Sequence, residues 1–176
     1  MKIAGVDYSI CSPAICKTDG YGGFEFHGFK RTKKCNSTSD KIFLHTYPDY
    51  GSQEERFYKL AKWAFEIVKD CDFVNIEGYA MGAKGQTFTI GEATGLLKHL
   101  LWKAGIHYNI IPPSTIKKFA SGKGNSDKNE MAEAFIAKEK VFDIFGAFGI
   151  SYEKDKKPNS PITDMIDSYW LYNWTK

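Results

Sequence analysis

Four acidic residues in this chain are placed where they could share a cation. Asp7 closes the run Lys2-Ile3-Ala4-Gly5-Val6, and Glu77 closes Phe73-Val74-Asn75-Ile76. Both runs are short and apolar, as in strands buried on both faces, so each carboxylate stands where a buried strand reaches the surface. Asp164 and Asp167 lie three residues apart among Ile162, Met165, Ile166, Tyr169, Trp170 and Leu171, which puts both on one face of a largely buried helix. Like charges at this spacing repel, and burying them unpaired costs several kcal/mol, so a lysine or a metal must offset them. Taken singly, Asp7 reads as a turn cap before Ser9 and Glu77 as an exposed strand end; four acids able to converge on one point suggest a metal site.

Oxygen-only ligands point to a hard ion, Mg²⁺ or Mn²⁺, and carboxylates drawn from separate elements are what a two-metal phosphodiester site requires. In that chemistry a lysine near the scissile phosphate neutralises charge as it develops, and Lys117 and Lys128 are the candidates. Lys117 and Lys118 follow Pro112-Pro113-Ser114, a turn into a brief helix. Lys123 and Lys128 belong to Ser121-Gly122-Lys123-Gly124-Asn125-Ser126-Asp127-Lys128, a basic loop running into another helix. Lysines beside a helix start make a phosphate cradle, although the spacing is not that of a Walker A loop.

These residues need a scaffold, and 176 residues are enough for one domain, 1–176, with a full core. Ser12 to Lys17 and Gly22 to Arg31 read as strands around a glycine-rich turn, giving an antiparallel meander after the first strand. Lys30 to Asp40 (KRTKKCNSTSD) reads as a solvated loop that could also lie near an anionic ligand. Ser52-Gln53-Glu54-Glu55 is a capping box opening a helix with Phe57, Leu60, Ala61, Ala64 and Val68 inward. His107 to Ile111 is another strand, and Ser160 is expected to cap the last helix, with Pro161 in its first turn.

The helix from Thr87 to Ala104 has two apolar faces. Ile90, Ala93, Leu97, Leu100, Leu101 and Ala104 point to the core, while Phe88, Gly91, Gly95 and Trp102 lie opposite. That second face is covered either by a second copy of the chain, across a groove left by the two glycines, or by the C-terminal helix.

The formal net charge is only +3, so global charge does not choose the partner and any basic surface must be local. Cys11, Cys16, Cys35 and Cys71 show no CxxC pairing, which argues against a structural zinc site and for reduced thiols in an intracellular, cytoplasmic protein. No apolar run is long enough to span a bilayer, so no membrane partner is expected.

In the order of its parts the chain resembles the RuvC-like Holliday junction resolvases of the ribonuclease H-like superfamily. The resemblance rests on Gly5-Val6-Asp7, Ile76-Glu77 with Met81-Gly82-Ala83-Lys84, Gly91-Glu92-Ala93-Thr94-Gly95, the Lys117 segment, Ser126-Asp127-Lys128 and Asp164-Met165-Ile166-Asp167. It implies an α/β ribonuclease H-like fold, a mixed five-stranded sheet flanked by helices. It makes Asp7, Glu77, Asp164 and Asp167 the ligands of two Mg²⁺ or Mn²⁺ ions and gives catalytic and phosphate roles to Lys117 and Lys128. Lys84, Lys118 and Lys123 are expected substrate contacts. The expected activity is that of a crossover junction endodeoxyribonuclease: a homodimer cutting four-way junctions and other branched DNA by paired nicks.

Two departures stand out. Tyr8-Ser9 replaces the proline and glycine usual after the first acid, as in viral or phage members, where the compartment would be the host cytoplasm. The aromatic wedge expected three residues after the second acid aligns with Ala80, which leaves the role to the adjacent Tyr79 or to another residue. The rival readings are another nuclease of the superfamily, acting on flaps or RNA:DNA hybrids, and a junction-binding protein without catalysis. An actin-like phosphotransferase is disfavoured by length.

Overall fold

The computed structural model describes residues 1–79 and 87–174. Three strands come first: β1 (Ile3–Asp7), β2 (Ala14–Thr18) and β3 (Phe24–Phe29). They are followed by β4 (Ile42–His45), α1 (Gln53–Val68), β5 (Phe73–Glu77) and α2 (Thr87–Lys103), then β6 (His107–Ile111), α3 (Pro113–Ser121), α4 (Lys128–Lys138), the single turn α5 (Ile144–Ala147) and α6 (Ile162–Asn173). The strands form one sheet in the order β4-β3-β2-β1-β5-β6. β2 lies antiparallel between β1 and β3, and β5 and β6 are parallel to β1.

The expected sheet of five strands is therefore corrected to six. The additional strand, β4, pairs parallel with β3 at the sheet edge. It has only four residues, Ile42 alone is buried, and Phe43 is 43% exposed, so the short run carries no clear period-2 pattern. Cross-strand rings hold it in place: Phe43 stacks on His27 at 4.9 Å, and His45 meets the edge of Phe29.

Strand alternation divides the core into two layers, one on each face of the sheet. Ala4, Val6, Ile15, Val74 and Ile76 pack beneath α1 and α2 with Leu60, Ala64, Leu97 and Leu101. Ile3, Ala14, Cys16, Phe24 and Phe26 pack beneath α6 and its neighbours with Met165, Tyr169 and Tyr172. The C-terminal helix thus lies on the face away from α2, so it does not cover the second apolar side of α2. Phe88 remains 85% and Trp102 71% exposed, and Ala104, expected in the core stripe, is exposed as well.

α6 lies directly against β1, and Gly5 sets the approach. A Cβ at Gly5 would fall 2.1 Å from Tyr172 N and 2.2 Å from Ser168 O, both backbone atoms of the helix. The neighbouring strand adds a polar lock: buried Asn75, paired in register with Gly5, donates from Nδ2 to Leu171 O at 2.9 Å. Aromatic packing fills the rest of the layer, with Tyr169 edge-on to Phe24 at 5.3 Å and to Phe135 at 4.8 Å. Each such pair contributes about 0.5–1.5 kcal/mol beyond area burial.

Gly5→Ala should therefore force α6 off the sheet. The expected loss is about 3 kcal/mol or more, at the upper end for overpacked cores, read as a fall in the urea midpoint. An unchanged midpoint would mean that the helix is held less closely than described.

Candidate metal and active centre

Parity and register bring Asp7 and Glu77 together. Ile3, Gly5 and Asp7 alternate onto the α6 side of β1, and Asn75 and Glu77 onto the same side of β5. The parallel register runs Gly5 to Asn75 and Val6 to Ile76, so Asp7 and Glu77 end neighbouring strands one residue further on, about 5 Å apart at the backbone. From above, α6 supplies the other two acids. Asp164 lies one turn before Ser168, whose carbonyl meets Gly5, and Asp167 is adjacent to that residue.

The acids interact as a group. Burial pushes the Asp7 carboxyl well above its usual range; the charges of Glu77, Asp167 and Asp164 push it further, and Lys128 pulls it back. Burial raises Glu77 to about 7, opposed by Lys117 and assisted by Asp164. Asp167 also rises to about 7, through burial and then Glu77 and Asp164, against Lys128 and Lys117. All six residues expected to be catalytic thus belong to one electrostatic cluster, which α3 and α4 complete by bringing Lys117 and Lys128 beside the acids.

Direct contacts concentrate on Asp164. Ser12 Oγ donates to Asp164 Oδ2 at 2.6 Å, and Thr163 Oγ1 contacts Asp164 Oδ1 at 3.3 Å. Lys128 Nζ donates to Thr163 Oγ1 at 3.1 Å, so the lysine reaches the acids through a hydroxyl. Ser12 and Thr163 are functional candidates that the sequence reading missed. Both are buried, but a lone hydroxyl in a turn or before an aspartate carries no distinguishing pattern.

The expected substrate contacts are spread more widely. Lys118 and Lys123 are exposed on α3 and the loop after it, and Lys123 pairs with Glu130 at 3.0 Å. Tyr79 is half-buried two residues beyond Glu77, and Lys84, with its motif, lies outside the described residues. Ser126 is buried and its hydroxyl meets that of Ser121, while Asp127 caps α4 through a full capping box with Glu130.

As the side chains are oriented, no three His, Cys, Asp or Glu residues among those described enclose a single ion position. The donor chemistry nevertheless suits a hard divalent ion. Four carboxylates are gathered in one cluster, and at least three of them resist ionisation there.

A mixed sheet with an acid at the end of each of two adjacent parallel strands, crossed by a helix bearing two more, defines a ribonuclease H-like fold. Among proteins of that fold the chain is similar to RuvC. It is 25% identical over 139 residues to the crossover junction endodeoxyribonuclease RuvC of Synechococcus sp. (strain CC9311), covering 77% of this chain and 82% of that protein. Its fold matches Thermus thermophilus RuvC with a TM-score of 0.59 at 16% identity, over 98% of this chain and 93% of the other. It also matches T. thermophilus RuvC in complex with Holliday junction substrate with a TM-score of 0.62 at 16% identity, over 99% and 94% of the two chains. No family model matches the chain. The resemblance noted in the sequence motifs is thus found again in overall sequence similarity and in fold.

The raised carboxyls make a signed prediction. Asp167 is held near 7 in the fold against an ordinary value near 3.8, so its contribution to stability is complete below the ordinary value and is lost as pH rises through the folded one. In EDTA, wild-type stability relative to Asp167→Asn should fall between about pH 4 and pH 7. Urea midpoints of the two proteins across this range measure the difference, and a flat difference would remove the repulsion.

Proposed function

We propose that the chain is a metal-dependent endonuclease that resolves four-way junctions and other branched DNA, with residues 1–176 forming a single nuclease domain. The carrying observation is the cluster itself: Asp7 and Glu77 from neighbouring strands, Asp164 and Asp167 from the helix above, and Lys117 and Lys128 beside them. The similarity to RuvC supports the choice of substrate.

Asp7, Glu77, Asp164 and Asp167 would hold two Mg²⁺ or Mn²⁺ ions, which when bound supply activation of water and neutralisation at the scissile phosphate. Ser12 fixes the rotamer of Asp164 by its hydrogen bond to Oδ2, while Thr163 Oγ1 contacts Oδ1. Lys128, tethered through Thr163, and Lys117, facing Glu77, stabilise negative charge that builds in the transition state. Substrate affinity comes from exposed cations around the centre, with Lys118 and Lys123 on one flank.

We infer that the active form is a homodimer through the exposed face of α2, and that the paired nicks come from its two centres. Phe88 and Trp102 offer large apolar surface there, and a Cβ at Gly91 or Gly95 would meet nothing within 4 Å. An intracellular location fits a DNA substrate and the free thiols of Cys11, Cys35 and Cys71. No helix among the described residues is long and apolar enough to cross a membrane.

Two experiments test this reading. Asp7→Asn keeps the side-chain size but removes a ligand charge, so it should shift a four-way junction in a gel at near wild-type concentration yet give no nicks with Mg²⁺ or Mn²⁺. A panel of junction, flap, duplex and RNA:DNA hybrid sets the substrate. Wild-type protein that binds the junction but never cuts it would favour a structural binder, and preferred cutting of flaps or hybrids would move it to another nuclease of the superfamily.

Gly91→Leu should separate the dimer without harming the protomer. Gly91 has open space around it, and a helix-interior glycine replaced by a good helix former gains about 0.5–1 kcal/mol. Sedimentation should show a monomer of equal or higher melting temperature; an unchanged dimer would place the interface elsewhere.

A further inference from the structure

The loop between β3 and β4 is strongly basic and takes no part in the six-residue centre. From Lys30 to Lys41 it holds five basic residues and one acid, a net of 5 − 1 = +4, against +3 for the whole chain. The rest of the protein therefore sums to 3 − 4 = −1, so much of its positive character is gathered here. Arg31, Lys33 and Lys34 are exposed.

Register places this loop at the acidic end of the sheet. Asp7 pairs with Ala14 on β2, and Ala14 with Gly28 on β3. β3 thus runs parallel to β1 two strands away, about 10 Å at ordinary spacing, and the chain leaves β3 just past the row that contains Asp7. Gly28 also abuts the start of α6, since a Cβ there would stand 2.9 Å from Met165 Cε and 4.0 Å from Pro161 Cβ. Further along, Thr38 N donates to Ala147 O at 2.8 Å, tying the loop to α5.

A second basic segment faces the first. Lys156 and Lys157 line, together with Cys35, a cleft of about 470 Å³ that ends at Pro161 and Ile162, two residues before Asp164. The segment also holds Glu153 and Asp155, and Lys156 contacts Glu153 at 3.6 Å. Both partners are largely exposed, and a surface pair of this kind contributes about 0–1 kcal/mol, too little to withhold the lysine from a phosphate.

The acidic centre by itself repels a polyanion, so cations flanking it must hold the substrate. We propose that Arg31, Lys33 and Lys34, with Lys156 and Lys157 across the cleft, form a phosphate rail. It grips the backbone of one duplex arm on the β3 side of the centre, away from Lys117. The proposal deepens the nuclease reading and rests on it for the identity of the nucleic acid. Each phosphate contact contributes about 0.9 to the slope of log K against log salt.

Binding is measured in EDTA, by salt titration, on a four-way junction and on linear duplex of equal arm length. The triple variant Arg31→Ala/Lys33→Ala/Lys34→Ala should lower the slope by about 2 to 3 and the affinity about tenfold or more near physiological salt. The pair Lys156→Ala/Lys157→Ala should lower the slope by about 1 to 2. Lys69→Ala, at the opposite end of the sheet, should leave both unchanged, and unaltered melting temperatures show that each variant keeps its fold. Unchanged slope and affinity in the triple variant, or an equal loss in Lys69→Ala, overturns the rail while the nuclease reading stands on its own cleavage assay. If wild type cuts nothing in that assay but the rail variants still lose duplex binding, the nuclease reading falls and the rail remains as a nucleic-acid contact.

Discussion

The structure turns on the contact between Gly5 and the backbone of α6. No other residue type fits there without moving the helix, because Tyr172 N and Ser168 O occupy the space of a Cβ. The contact lowers the helix onto the sheet at the strand that ends in Asp7. Asn75, level with Gly5 on the neighbouring strand, fixes the height by donating to Leu171 O, and Tyr169 and Tyr172 wedge the helix against the edge of the meander. With height and register set, Asp164 and Asp167 have only one place to go, above Asp7 and Glu77.

That placement is unfavourable for the folded chain on its own account. Burial and mutual repulsion raise Glu77 and Asp167 to about 7, and Asp7 rises for the same two reasons. Lys117 and Lys128 oppose the shifts without abolishing them, and Ser12 satisfies one oxygen of Asp164. The apolar layer under α6 supplies the compensation, since burying one large side chain such as Met165 or Tyr172 contributes about 1.5–3 kcal/mol. A site so frustrated is the expected signature of function, where local rules are broken and paid for elsewhere.

Much of this was legible in the sequence. Asp7 and Glu77 could be read because an apolar run ending in an acid is a local signal, and Asp164 and Asp167 because helical spacing fixes their common face. The division of α2 into two faces was also legible, although which one stays exposed depended on α6 choosing the other side of the sheet. β4 escaped notice because Ile42-Phe43-Leu44-His45 is an edge strand held by cross-strand rings, a tertiary effect. The last helix was expected to take a cap from Ser160, yet no side-chain cap forms and Pro161 holds the N-cap position. Ser12 and Thr163 lay beyond reach for another reason: their roles come from a partner 152 residues away and from a neighbouring helix.

The direction of the strands explains why the charges collect where they do. β1, β5 and β6 are parallel, and β3 and β4 share their direction, so five of the six strands finish at one end of the sheet. Open sheets of this kind present their ligands beyond the carboxyl ends of parallel strands, where connections can diverge. Here the connection after β6 leads into α3 and so to Lys117, whereas the connection after β3 becomes the basic loop of Arg31, Lys33 and Lys34. The acids hold the middle, at the ends of β1 and β5. Positive charge is therefore set on both sides of a negative centre by strand order alone, an arrangement suited to drawing a polyanionic backbone across the acids rather than onto them.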